Sequence, residues 1–90
     1  MNEQYDFAVY AGKKLKCKGY GTMERANDTA EQIARASRIG ARTELYVYNA
    51  ECHRWEMLTE WRTAGGGVLR RRPDHEEAVL RGRIMPIASL

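Results

Sequence analysis

The stretch that decides the fold is residues 28–48, which read DTAEQIARASRIGARTELYVY. Asp28 and Glu31 have the spacing of a capping box, in which both side chains accept hydrogen bonds from free backbone N–H groups at a helix start. Gly40 is a typical residue just beyond a helix end, so this pattern predicts a helix over residues 28–39. The residues that fall on one narrow face of that helix are Ala30, Ile33, Ala34 and Ser37.

Alternating apolar and polar residues predict four strands around this helix. They cover residues 5–10, 15–20, 43–49 and 54–62, with Gly12 marking a hairpin turn between the first two. The order ββαββ predicts an α+β fold, in which an antiparallel sheet carries one principal helix on one face. The expected core is Phe7, Val9, Leu15, Ala30, Ile33, Ala34, Leu45, Val47, Trp55, Met57 and Trp61.

A run of three glycines at residues 65–67 predicts a wide turn or a flexible joint, because glycine has the greatest backbone freedom. This joint divides the chain into a ββαββ domain, residues 1–62, and a basic C-terminal appendage, residues 63–90. Within the appendage, residues 68–72 could form a short edge strand or an unstructured arm.

The rest of the appendage contains a second helix signal. Asp74 and Glu77 repeat the capping-box spacing and predict a short helix over residues 75–81, ending at Gly82. Residues 84–87 are mostly apolar and could dock on the core or on a second subunit.

Composition excludes several classes of protein. Fifteen Lys+Arg against 12 Asp+Glu give a net charge of 15 − 12 = +3, and 43% hydrophobic residues exclude a wholly disordered chain. No stretch approaches ~18 uncharged apolar residues, and the first residues do not resemble a secretory signal. We therefore expect a cytoplasmic protein that is not in a membrane. Cys17 and Cys52 are too few for a disulfide framework and are expected to be reduced.

The sheet face opposite the helix is the first candidate binding site. Aromatic rings among cations suit single-stranded nucleic acid, because bases stack on the rings while the cations hold phosphates. The alternative is an ordinary solvated face, on which acidic residues pair with the cations across strands. The residues expected on this face are Tyr10, Tyr20, Tyr46, Tyr48, Lys14, Lys16, Lys18, Arg54 and Arg62, with the acids Asp6, Glu44, Glu56 and Glu60.

Two basic segments extend this candidate site. The first contains Lys13, Lys14, Lys16 and Lys18, and the second is the triplet Arg70, Arg71 and Arg72. Lysines on an edge strand either bind phosphates or prevent sheets from joining edge to edge. An arginine arm beside a glycine joint could reach into a groove, whereas a solvated tail is the alternative.

The sequence offers little support for catalysis or metal binding. Cys52 and His53 are adjacent, but neighbouring side chains on an extended loop point apart, and the chain has no CxxC or HxxxH spacing. The glycine run is followed by Val68 rather than Lys-Ser/Thr, so it is not a phosphate-binding loop. We expect no enzyme activity, no cofactor and no metal.

The alanine-rich helix, the glycine stop and the strand Glu44-Leu45-Tyr46-Val47-Tyr48 resemble the small single-domain ββαβ proteins common in phages and mobile elements, some anti-CRISPR proteins among them. The resemblance covers about residues 5–62 and rests on pattern rather than on a specific motif. It implies a small non-enzymatic binder of protein or nucleic acid, and it assigns a role to no residue.

Three functions follow from the sequence. The first is an accessory protein that acts through protein–protein contacts, with exposed Tyr46 and Tyr48, an unpaired edge strand and an apolar tail. The alternative is a nucleic-acid-binding protein that uses the tyrosine and lysine face and the arginine arm. The third is an enzyme without a recognisable motif. A small domain with an apolar tail also gains stability by pairing, so we expect a homodimer.

Overall fold

A computed structural model describes residues 3–85 and shows an α+β protein. Its elements in chain order are β1 (Tyr5–Ala11), β2 (Lys14–Gly21), α1 (Met23–Arg35), β3 (Arg42–Asn49), β4 (Arg54–Ala64), β5 (Gly67–Arg71) and α2 (His75–Ile84). The five strands form one antiparallel sheet in the order β2-β1-β3-β4-β5. The predicted fold class is confirmed.

Helix α1 covers one face of the sheet and forms the main core with it. Its buried residues are alanines four apart, Ala26, Ala30 and Ala34, so the helix lies close to the strands. The sheet supplies the large side chains, of which Trp61 is completely buried. A hydrogen bond also holds the helix to the sheet, since the Thr63 hydroxyl donates to the Ala34 carbonyl at 2.7 Å.

Helix α1 starts and ends earlier than predicted, at Met23 rather than residue 28 and at Arg35 rather than residue 39. Thr22 is the N-cap, and its hydroxyl accepts a hydrogen bond from the Arg25 backbone N–H at 3.2 Å. Asp28 and Glu31 lie inside the helix, where the Glu31 carboxylate accepts hydrogen bonds from Arg35 and from the Trp61 indole. The predicted capping box is therefore wrong, because Thr22 offers a cap that lets one more alanine join the buried face.

Helix α2 packs on the opposite face of the sheet, which was predicted to be open. A second core forms there, from Ala8, Tyr10, Tyr46, Met57 and Met85, with Trp55 packed against it. The predicted second capping signal is confirmed, since the Asp74 carboxylate accepts from the Glu77 backbone N–H at 2.8 Å. The helix continues through Gly82 instead of ending there.

Residues 63–85, expected in an appendage, belong to the same fold. The glycine run, predicted as a wide turn or a flexible joint, forms the tight turn between β4 and β5, and the possible edge strand exists as β5, hydrogen-bonded along β4. Of the apolar tail, Met85 is buried and Ile84 is 65% exposed. The remainder of that tail, from residue 86 on, lies outside the described residues.

Two β-bulges place Leu15 and Met57 on the sheet face opposite to the one predicted. The register of β1 and β2 shifts between Val9 and Tyr10, so Leu15 lies opposite Tyr10 on the α2 face and is 38% exposed. The register of β3 and β4 shifts between Leu45 and Tyr46, so Met57 is buried on the α2 face rather than beside Trp61. A bulge adds one residue to one strand and reverses the alternation beyond it.

Two further residues of the predicted core are only partly buried. Ile33 packs at the margin of the α1 core, and Trp55 lies against the α2 core. Neither of the two helices within residues 3–85 is long and apolar enough to cross a membrane.

Candidate binding surface

Strand β2 forms one edge of the sheet and has a neighbour, β1, on one side only. Lys13 lies in the turn before it, and Lys14, Lys16 and Lys18 lie along it, all exposed. Within residues 3–85 none of these four lysines makes an ion pair. The strand contains no acidic residue, so its positive charge is uncompensated along its own length.

The same edge also exposes apolar surface. Leu15 is 38% and Tyr20 is 60% exposed, and the register places both on the α2 face of the sheet together with Lys18. The bulge near Lys16 is what turns Leu15 to this face. Edge β2 therefore combines cations with two apolar side chains, and α2 does not cover it, since the contacts of α2 are chiefly with β4.

The predicted open tyrosine face is wrong for its central residues, because they are buried in a core cluster with Met85, the residue that follows α2. Tyr46 is 2% and Tyr10 is 3% exposed, and their rings meet edge to face with centroids 5.8 Å apart. Burial raises the pKa of Tyr46 to about 12, and its hydroxyl donates to the Glu44 carboxylate at 3.2 Å. Tyr48 is half-buried against Trp55. Among the predicted tyrosines only Tyr20 is left widely exposed.

The predicted arginines have separate roles. The Arg54 guanidinium donates to the Glu56 carboxylate at 2.7 Å. Arg71, predicted to lie on a free arm, pairs with Glu77 at 2.7 Å and with Glu60 at 3.2 Å. These two carboxylates raise the pKa of Arg71. The predicted arginines that are exposed and make no ion pair in the described chain are Arg62, Arg70 and Arg72.

The structure does not bring the lysine and arginine segments together. They lie at opposite edges of the sheet, β2 and β5, which four inter-strand spacings separate. At about 4.8 Å per spacing the two edges are about 19 Å apart. The predicted site residues therefore form two small basic surfaces rather than one, and edge β2 is the larger.

A buried ionic cluster, which the sequence pattern did not predict, lies between α2 and the sheet. Glu44 and Glu60 lie opposite each other on β3 and β4, and they are 5% and 8% exposed. Arg81 of α2 contacts Glu44, while Arg42 and Arg71 contact Glu60. The alternative of a solvated face did predict that these glutamates pair with cations across strands. Arg81 was not among the cations expected there.

The described residues contain no group of three or more His, Cys, Asp or Glu side chains that could hold a metal ion. Cys17 is half-buried and Cys52 is exposed, and both are free thiols. No protein-family model, curated protein or solved structure matches this chain.

Proposed function

We propose that this protein is a non-enzymatic binding module that takes an extended acidic segment of a partner protein as a sixth strand beside β2. The observation that carries the proposal is the open β2 edge, with its four exposed lysines that have no ion pair within residues 3–85. In this mode of recognition, main-chain hydrogen bonds supply affinity and alternate side chains supply specificity.

The chemistry of the edge favours an acidic partner. The bulge reverses the alternation along β2, so Lys14 lies opposite Ala11 on the α1 face and Lys18 lies opposite Ala8 on the α2 face. A partner with carboxylates would therefore meet cations on both faces. Leu15 and Tyr20 add apolar contacts on the α2 face. The same lysines repel a second copy of β2, because lysines on an edge discourage self-pairing. A different protein is therefore favoured over self-association through this edge.

The homodimer expected from the sequence stays a prediction. It was based on an apolar tail, and Met85 of that tail packs on the sheet of its own chain. Ile84 remains exposed beside it.

Nucleic acid is the second candidate, since four exposed lysines in line also suit phosphates. Two observations favour protein over single-stranded nucleic acid. Of the tyrosines that would form a stacking platform, Tyr10 and Tyr46 are buried, and the arginine triplet lies at the far edge of the sheet.

The proposal is tested with an extended peptide as long as β2 that carries glutamates on both faces, with valines between them. We expect it to bind, and we expect N-methylation of alternate backbone amides on its pairing edge to abolish binding, because those N–H groups form the new ladder. The double variant Lys16→Glu/Lys18→Glu should weaken binding by about tenfold or more at unchanged melting temperature, since ion pairs turn into repulsions.

The matched control is Arg70→Glu/Arg72→Glu on the opposite edge, which should leave peptide affinity unchanged. An N-methylated peptide that binds equally well would contradict strand addition. Tight, salt-dependent binding of a single-stranded oligonucleotide with no binding of the peptide would favour the second candidate instead.

A further inference from the structure

A cavity of about 350 Å³ lies between the sheet and the C-terminal end of α2. Its walls include the two buried tyrosines, the glutamate and arginine of the ionic cluster, one lysine of the hairpin turn and a methionine. These residues are Tyr10, Tyr46, Glu44, Arg81, Lys13 and Met85. The volume lies at the lower end of the range for small-molecule sites.

Two residues that line the cavity carry buried hydrogen-bond donors without partners. The Tyr10 hydroxyl has no hydrogen-bond partner among the described residues, although Tyr10 is only 3% exposed. The Arg81 Nε–H, also buried, has none either. Tyr46 differs, because its hydroxyl donates to Glu44. Buried polar groups in folded proteins are nearly always paired, so two unpaired donors at one cavity indicate a missing acceptor.

The charges around the cavity favour an anion. Between α2 and the sheet, the three carboxylates of Glu44, Glu60 and Glu77 pair with three guanidiniums, those of Arg42, Arg71 and Arg81. These charges cancel. Lys13 lines the cavity and makes no ion pair within the described chain, so it adds one positive charge that nothing in this cluster balances.

We infer that this cavity binds a small monocarboxylate with an apolar body. The carboxylate supplies acceptors for the Tyr10 hydroxyl and the Arg81 Nε–H, and its charge balances Lys13. The side chain of Met85 and the rings of Tyr10 and Tyr46 provide an apolar wall for the rest of the ligand. The two proposals share Lys13, but their tests are separate, because Lys16 and Lys18, which are changed to test strand addition, do not line the cavity.

Benzoate is the probe, titrated into the full chain and followed by two-dimensional amide NMR. We expect one saturable site, with the shifted resonances on β1, on β3 and at the end of α2. Tyr10→Phe keeps the ring and removes the hydroxyl, and it should weaken benzoate binding about tenfold, the loss expected for one hydrogen bond to a charged group. Lys13→Gln should also weaken it. Tyr20→Phe is the matched control, since Tyr20 is an exposed tyrosine on the same sheet face outside this cavity.

Two further ligands test separately whether the cavity requires the negative charge and the apolar body of the ligand. Benzamide, which has the same ring but no charge, and sulfate, which has charge but no apolar body, should both bind more weakly than benzoate. The inference is overturned if benzoate causes no saturable shift at about 10 mM, well above the dissociation constant of a weak ligand. It is equally overturned if Tyr10→Phe binds benzoate as tightly as the unaltered chain, or if either comparison ligand matches benzoate.

Discussion

Replacing Gly82 with alanine measures how firmly α2 is seated on the sheet. A Cβ atom at this position would lie 1.8 Å from the carbonyl oxygen of Trp55, 2.5 Å from its carbonyl carbon and 3.1 Å from the Cα of Glu56. All three are backbone atoms of β4 in the segment that pairs with β3, where Trp55 lies opposite Tyr48 and Glu56 lies opposite Val47. The strand cannot yield, so the helix must move away from it.

Two effects of opposite sign decide the outcome. Alanine is favoured over glycine inside a helix by about 1 kcal/mol. Forcing a methyl group into a closed contact costs about 1–3 kcal/mol, or more where only backbone can give way. At 1.8 Å the second effect is at the upper end of its range, and the displaced helix also loses the contacts of Met85. We expect a net loss of about 2 kcal/mol in the free energy of unfolding.

For a chain of this size each kcal/mol lowers the melting temperature by about 4–8 °C, so the expected fall is about 10 °C. Thermal unfolding followed by circular dichroism measures it. Gly66→Ala is the matched control, because Gly66 lies in the β4–β5 turn with no atom within 4 Å of an added Cβ. That control should change stability by less than about 1 kcal/mol. A higher melting temperature for Gly82→Ala would show that helix propensity dominates and that α2 is not seated on β4, which would refute the packing described.

Two other predictions concern Tyr46 and the start of α1. Burial raises the pKa of Tyr46 above its unfolded value near 10 to about 12, so the fold favours the neutral phenol. The resulting stability is complete below about pH 10 and is lost as the pH rises toward 12, about 2–3 kcal/mol in total. Denaturant unfolding across this range should show a shallower loss for Tyr46→Phe, and equal losses would contradict the assignment. Thr22→Ala should cost about 1 kcal/mol and Asp28→Ala less than about 0.5 kcal/mol in thermal unfolding, whereas the reverse order would restore the predicted capping box.

The strands and the fold class could be predicted because their alternation is a local signal. Leu15 and Met57 were assigned to the wrong face, because each lies beyond a bulge and nothing in the local pattern marks the extra residue. The packing of α2 was also beyond prediction. Its sequence has no apolar stripe and none of its residues is buried. A glycine contact, ion pairs and the packing of Met85 hold it instead.

For the candidate binding surface too, local features could be predicted from the sequence and tertiary contacts could not. The lysines of β2 were identified correctly as exposed, because charge and an edge position both keep a side chain in solvent. Tyr46 was expected to be exposed, since its strand reads as half-buried and the element that covers it lies far along the chain. Its burial depends on a tertiary contact, which periodicity does not encode.

The facing carboxylates of Glu44 and Glu60 affect the order in which the molecule assembles. Arg42 is on β3 itself and can neutralise Glu60 as soon as β3 meets β4. Glu44 gains its partner only when Arg81 is available, and Arg81 lies 37 residues further along the chain. A ribosome-bound chain that has exposed only β1 to β4 therefore holds an uncompensated acid on the face that is about to become interior. We expect the sheet to stay loose until α2 emerges and then to tighten together with it, so that the two layers form in one cooperative step.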